Sequence, residues 1–176
     1  MTRVYQTIVD PNHGNCMQAV IASLLELSLD DVPHFLEFKD WWFTEFVKFL
    51  NKKGYRYHGM FHNKNYNRLL NPTSCCFKEE RFHRPNILSI TNLKKAKGIN
   101  GYFYGSVLSP KYFNFGDGSN KTHAIIIDVN CRVVHDVNQE YKNIIKYPLS
   151  DLLKYNGVID VYDLRKKDKR WIIMIS

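Results

Sequence analysis

The strongest constraint on the fold is an apolar run near the start of the chain, from Met17 to Leu27. Apolar residues cover most helical faces of this run, which predicts a buried helix and not an amphipathic surface helix. Asn15 stands at the expected N-cap, and residues 30–33 (Asp-Asp-Val-Pro) are expected to end the helix. A second helix is predicted from Asp40, its cap, to Lys52, with Gly54 stopping it.

Most of the later elements are predicted to be strands. Strand patterns occupy residues 55–61, 86–90, 102–108, 123–127, 132–137, 158–164 and 171–175. One short helix is expected at 149–155, and residues 62–85 and 109–121 are expected to be loops. Helices followed by strands predict an α+β fold in which the N-terminal helix packs on an antiparallel sheet, and 176 residues suit one domain, 1–176.

Composition excludes two broad classes of protein. Aromatic residues make up 14% of the chain, far more than a disordered polar chain carries. No stretch approaches the roughly 18–20 uninterrupted apolar residues of a membrane span, and the first residues lack the apolar segment of a signal peptide. We therefore expect a cytoplasmic protein that does not bind membranes, located in the host cytoplasm for a viral chain.

The four cysteines match neither a disulfide framework nor the spacing of zinc ligands. We accordingly expect no metal site and no organic cofactor. The formal net charge of +8 lies partly in two short clusters, residues 94–97 and 165–170, and acidic residues interrupt the second. No nucleic-acid-binding motif accompanies them, so nucleic acid is a less favoured partner. A solvated basic surface suits an acidic protein or peptide substrate.

The triplet Gly14-Asn15-Cys16 places a cysteine in the first turn of the predicted helix. Free backbone N–H groups and the positive end of the helix dipole favour the thiolate there and lower its pKa. The thiolate is the attacking form of a cysteine nucleophile. Gly14 is predicted to let a substrate backbone approach closely.

A predicted hairpin carries the complementary pattern, with His123 opening one strand and Asp136 ending the next. A two-residue turn at Val129–Asn130 pairs His123 with Asp136, whereas one at Asn130–Cys131 pairs Asp136 with Ile125 on the same face. A three-residue turn would move Asp136 to the other face. The two commoner turns thus predict the base and orienting group of a Cys-His-Asp triad.

These two patterns resemble the papain-like cysteine peptidase superfamily. The segments 14–19 (Gly-Asn-Cys-Met-Gln-Ala) and 29–35 (Leu-Asp-Asp-Val-Pro-His-Phe) are similar to the nucleophile region of small uncharacterised papain-like proteins of phages and bacteria. The His123…Asp136 hairpin resembles that of bacteriocin-processing peptidases. The resemblance implies one papain-like domain, and a bias toward Lys, Asn, Ile and Tyr is typical of an AT-rich genome such as a phage's.

The remaining site candidates concern the oxyanion and the substrate. The papain-like pattern places a Gln about six residues before the Cys, where this chain has Asp10, so Gln6 or Asn15 with the Cys16 N–H is expected to stabilise the oxyanion. Asn138 is an alternative to Asp136 as the third triad residue. Four residues are candidate substrate contacts: Gly14, Tyr112, Phe113 and Phe115.

Together these features predict a thiol hydrolase, either a peptidase, an isopeptidase or an amidase, that acts through a thioester on Cys16. Acyl transfer to an amine in place of water fits the same residues. The alternative is a stoichiometric binding protein of papain-like fold that blocks a host factor or binds an acidic partner or nucleic acid.

Overall fold

Three α-helices and six strands make up the described part of the computed structural model, which comprises residues 1–10, 13–63, 86–108, 122–139 and 157–168. The helices are α1 (Cys16–Leu25), α2 (Trp42–Lys52) and α3 (Ile90–Ala96). The strands are β1 (Tyr55–His62), β2 (Asn86–Ile87), β3 (Tyr102–Leu108), β4 (Thr122–Asp128), β5 (Val133–Asp136) and β6 (Val158–Lys166). Short 3-10 helices span Leu29–Asp31 and Phe35–Trp41.

The six strands form a single sheet in the order β2-β1-β6-β3-β4-β5. Every neighbouring pair is antiparallel except β1 and β2, which are parallel. The α+β class is confirmed, but the expectation of a purely antiparallel sheet is wrong at this edge. More than twenty residues connect β1 to β2, and a connection of that length permits a parallel return.

Each face of the sheet carries its own apolar cluster because successive side chains of a strand alternate between faces. On β4, Ala124 and Ile126 pack with α1 and α2, whereas Ile125 and Ile127 pack with Leu93 of α3. The all-round apolar pattern of α1 is explained by this arrangement, since eight of its ten residues are buried.

Both ends of α1 differ in detail from the prediction. The helix ends at Leu25, where Glu26 adopts the left-handed conformation, before the predicted stop at residues 30–33. Asn15 occupies the N-cap position, but its side chain makes no capping hydrogen bond. That side chain turns instead to residues before the helix, as described below.

The predicted start of α2 at Asp40 is also wrong. A 3-10 helix occupies Phe35–Trp41, and Lys39 within it has a positive φ of 51°, so regular helix begins only at Trp42. Trp41, the last residue of this 3-10 helix, is 68% exposed, whereas Phe43 and Phe46 of α2 are buried.

The segment after β1 holds the largest local error. A strand was expected over 86–90, but β2 has two residues and α3 follows from Ile90. The side chain of Ser89 accepts a hydrogen bond from the Asn92 N–H and caps this helix. The predicted helix at 149–155 and strand at 171–175 lie outside the described residues. Within the described ranges, no helix is long and apolar enough to cross a membrane.

Candidate active site

Cys16 is the first residue of α1, and a folded lead-in segment holds it there. The Asn15 Oδ1 accepts the backbone N–H groups of Thr7 (3.0 Å) and Ile8 (2.9 Å). Gly14 is buried, and a Cβ at this position would lie 2.5 Å from the Asp10 carbonyl oxygen. The close approach that requires this glycine is therefore to its own chain, which does not support the predicted substrate contact at Gly14.

The hairpin of β4 and β5 has one of the predicted pairings, Asp136 with Ile125, but a different turn produces it. Asp128 and Arg132 close a three-residue turn in which Cys131 has a positive φ of 59°. That turn alone would put Asp136 on the wrong face, but a register shift between Ile126 and Ile127 restores the pairing of Asp136 with Ile125. The turn and the irregularity offset each other, so Asp136 lies on the face that His123 occupies.

Cys16, His123 and Asp136 come together in a chain of hydrogen bonds. The His123 Nε2 lies 2.7 Å from the Asp136 Oδ1, and the His123 ring also bonds the Cys16 thiol. With Nε2 directed at the carboxylate, Nδ1 is the ring atom left for the thiol. Asp136 Oδ1 also accepts the backbone N–H of Asn138 (2.9 Å), so the carboxylate that bonds His123 is itself held in place.

These contacts shift both ionisable groups in the direction that favours an ion pair. Burial by itself raises the pKa of the Cys16 thiol, but the hydrogen bond and charge of His123, together with the backbone N–H groups of Ala124 and Met17, bring it below 9.0. Burial lowers the pKa of His123, but the bonds to Asp136 and Cys16 outweigh it and raise that pKa to about 9. A thiolate facing an imidazolium is the expected state near neutral pH.

The exposure of these groups suits a nucleophile. His123 and Asp136 are shielded, with side chains 7% and 9% exposed, which strengthens their hydrogen bond. Cys16 as a residue is partly exposed, at the start of α1. The other described cysteine, Cys131, is buried, and burial followed by the charge of Asp128 raises its pKa to about 12.

The structure separates the two predicted oxyanion donors. Asn15 Nδ2 donates to Thr7 Oγ1 (3.1 Å) and Gln18 Oε1 (3.2 Å), which uses both of its hydrogens. Gln6 Nε2 donates to the Ile8 carbonyl (3.2 Å), the same oxygen that accepts the Asn15 N–H, so Gln6 lies at the start of α1. One N–H of Gln6 and the backbone N–H of Cys16 are therefore the better candidates.

Several other predicted residues lie apart from this site or outside the described ranges. Tyr112, Phe113 and Phe115 fall outside the described residues. His135, the residue before Asp136, bonds the Val4 carbonyl through Nε2 at 2.9 Å. Across the described ranges, no group of three or more His, Cys, Asp or Glu side chains is placed to hold a metal ion.

One polar pair has no local signal in the sequence. His62, at the end of β1, bonds Asp160 of β6 through Nδ1 and Oδ1 at 2.5 Å. The two residues are 98 positions apart and belong to strands that no local pattern pairs. Alternation within 158–164 would have placed Asp160 on the face of Tyr162, but only the strand order brings His62 beside it.

Comparison with known proteins adds no relative. No family model, curated protein or solved structure matches this chain. Inference about its function therefore starts from the geometry of Cys16, His123 and Asp136, and the resemblance to papain-like peptidases stays a prediction.

Proposed function

We propose that this protein is a thiol hydrolase of papain-like type, in which Cys16 is the nucleophile. The observation that carries the proposal is the continuous hydrogen-bonded chain from the Cys16 thiol through His123 to Asp136, with the thiol at the start of a helix. Each member has the environment that its role needs: a lowered thiol pKa, a raised imidazole pKa and a shielded carboxylate.

The acylation step follows from the ion pair. The Cys16 thiolate attacks the substrate carbonyl carbon, and backbone and Gln6 N–H groups stabilise the developing oxyanion. His123 gives its proton to the leaving amine as the bond between carbon and nitrogen breaks, which leaves a thioester on Cys16 and a neutral imidazole. Asp136 holds the ring in orientation throughout.

Deacylation reverses the proton flow. Neutral His123 takes a proton from water as the water oxygen attacks the thioester carbonyl. The bond between carbon and sulfur then breaks, the acid leaves, and the thiolate–imidazolium pair is restored. An amine in place of water would give acyl transfer, so peptide, isopeptide and small-amide substrates all suit this chemistry.

Acylation by p-nitrophenyl acetate tests the proposal without knowledge of the natural substrate. We expect the acetyl group to map to Cys16, and nitrophenolate release to continue after the first turnover because His123 activates water. Cys16→Ala abolishes both, whereas the matched variant Cys131→Ala, which removes a buried thiol, leaves both intact. Equal turnover by wild type and Cys16→Ala would disprove the proposal.

A stoichiometric binding protein is the second candidate, and one surface favours it. The 3-10 helix Phe35–Trp41 exposes Leu36, Phe38 and Trp41, which are 40%, 41% and 68% accessible. Exposed apolar side chains that cluster in one segment are typical of contact surfaces. Two results together would favour this candidate. The wild-type protein would turn over no ester, and Cys16→Ser would still bind the partner.

A further inference from the structure

The pair formed by His62 and Asp160 has no role in the chemistry above. Both side chains are largely buried, with 10% and 14% of their surface exposed. A carboxylate only accepts hydrogen bonds, so the His62 Nδ1 donates to Asp160 Oδ1. The other carboxylate oxygen, Oδ2, makes no hydrogen bond within the described ranges.

Strand register places His62 and Asp160 in the same cross-strand row as Ala124, which contacts the nucleophile. His62 pairs with Asp160, Asp160 pairs with Ser106, and Ser106 pairs with Ala124 across four successive strands. The Ala124 N–H bonds the Cys16 sulfur, so one row crosses the sheet from the nucleophile to His62. Asp160 lies two strand spacings from Ala124, which is about 10 Å.

The side chains of this row also point to the face that carries Cys16. Met60, Tyr104 and Tyr162, each two positions from a member of the row, pack in the α1 cluster, and Cys16 packs against that cluster. Because alternate residues of a strand share a face, His62, Ser106 and Asp160 lie on the same side. His62, Asp160 and Ser106 thus form a line of polar side chains beside the stacked rings of Tyr104 and Tyr162.

The order of residues in the row excludes a second catalytic triad. A serine nucleophile needs the histidine between itself and the carboxylate, but here Asp160 lies between Ser106 and His62. The arrangement instead presents an oriented carboxylate oxygen, flanked by a hydroxyl, which is suited to receive hydrogen-bond donors.

We propose that Asp160, oriented by His62 and flanked by Ser106, is a specificity subsite for a cationic Lys or Arg side chain on the substrate residue whose carbonyl is attacked. This inference rests on the proposed function, since it assumes an acyl substrate at Cys16. A lysine ammonium reaches about 6 Å from its own Cα, and the Cα is one bond from the attacked carbonyl carbon. Together with a hydrogen bond to the Asp160 carboxylate, that reach is comparable to the separation of about 10 Å between the backbones of Asp160 and of Ala124, whose N–H contacts Cys16.

Covalent probes test this subsite without a natural substrate. Peptidyl acyloxymethyl ketones with Arg, Lys, citrulline, norleucine or Glu beside the reactive group would be compared by their second-order rate of Cys16 labelling, followed by mass spectrometry. Arg and citrulline have nearly the same shape but differ in charge. We expect the Arg and Lys probes to label wild type at least about tenfold faster than citrulline and norleucine, because a hydrogen bond to a charged group is strong.

Variants then assign the preference to Asp160. Asp160→Asn is expected to remove the preference for Arg over citrulline, because it neutralises the carboxylate that would bind the cationic side chain. The matched control is Asp168→Asn, the same change at an exposed position beyond the end of β6. Iodoacetamide labelling of Cys16 at an unchanged rate shows that the Asp160→Asn protein is folded around its nucleophile.

Three results would overturn the subsite, and they can be told apart from failure of the enzyme itself. Equal labelling by the Arg and citrulline probes, a preference for Glu, or an Arg preference that survives Asp160→Asn each contradicts it. Because the Arg and citrulline comparison uses wild type alone, it decides the matter even where Asp160→Asn unfolds. If no probe labels Cys16 and iodoacetamide reacts with it only as an ordinary thiol, the proposed function fails and the subsite with it.

Discussion

At the residue scale, the chemistry depends on how Cys16 and His123 share one proton. The ordinary pKa values are 9.0 for the thiol and 6.5 for the imidazole, so near neutral pH the unfolded chain carries the proton on sulfur. In the folded protein the pKa of Cys16 is lowered and that of His123 is raised to about 9, and both shifts move the proton from the sulfur toward the ring. Where the thiolate–imidazolium pair is formed, the folded and unfolded states each hold one proton, and this pair exchanges none on folding.

This balance predicts a pH profile that distinguishes the pair from an isolated histidine. A fully formed thiolate–imidazolium pair should add little pH dependence to the free energy of unfolding of wild type within the range from pH 6.5 to 9. In Cys16→Ser the hydroxyl does not ionise, but the hydrogen bond to Asp136, the largest of the contributions that raise the pKa of His123, is kept. The stabilisation from His123 is then complete below pH 6.5 and is lost as pH rises, by at most about 1.4 kcal/mol per pH unit.

Urea unfolding of both proteins across this range measures the difference, and the other titrating groups cancel between them. Profiles that run parallel from pH 6.5 to 9 would show that the thiolate–imidazolium pair does not form in the folded protein.

At the element scale, the sequence predicted the strands that hold the site better than the turn that joins them. The bounds of β3 agree with the predicted 102–108, and β4 differs from its prediction by one residue at each end, because each is a short run rich in apolar and aromatic residues and bounded by turn residues. The hairpin turn could not be chosen from sequence. Asp128, Asn130 and Cys131 suit several turn lengths, and the compensating irregularity near Ile126 carries no glycine or proline to signal it.

The lead-in segment is the element on which the position of Cys16 depends. Sequence indicated only an irregular stretch, since its order comes from side chains elsewhere in the chain, among them Asn15, which bonds Thr7 and Ile8, and Ser23, which bonds Val4. The nearby Gln6 N–H also pairs with the Val137 carbonyl, so the segment joins the start of α1 to the end of β5. Residues close in sequence to Asp136 and to Cys16 are thereby fixed to one another.

Asn15→Ala should release this segment. It leaves the backbone N–H groups of Thr7 and Ile8 without their acceptor and should lower the free energy of unfolding by about 2–4 kcal/mol. The matched control is Asn130→Ala, the same change at an exposed turn position, which should cost less than about 0.5 kcal/mol. Urea unfolding of the three proteins gives both values, and an Asn15→Ala protein as stable as the control would contradict the assigned role.

At the scale of the whole molecule, the proximity of Cys16, His123 and Asp136 could be predicted because each residue stands at a recognisable position in its element. Cys16 stands at a helix start, and His123 and Asp136 stand at the ends of neighbouring strands, so motif and register together were informative. His62 and Asp160 have no such marks, because their proximity is a consequence of β6 inserting between β1 and β3. Strand order of this kind is a tertiary property that local alternation does not specify.

Charge shows the same contrast between total composition and local placement. The net charge of +8 favours an acidic substrate for the molecule as a whole. Within the row of residues that crosses the sheet toward Cys16, Asp160 has one carboxylate oxygen that does not bond His62. Under the proposed function, this oxygen would favour a cationic group close to the attacked carbonyl. Overall attraction and local selection can thus act on different parts of one substrate.

The most direct test of the central claim is the pH dependence of Cys16 alkylation by iodoacetamide, in wild type and in His123→Ala, with peptides separated by mass spectrometry. Cys16 should react fast well below pH 9.0, and His123→Ala should shift its reactivity to that of an ordinary thiol, because the imidazolium lowers the thiol pKa. Cys131, whose pKa is raised to about 12, should stay unreactive in both proteins as an internal control. Alkylation of Cys16 only near pH 9.0 in wild type, or a profile that His123→Ala leaves unchanged, would contradict the assignment of Cys16 as an activated nucleophile.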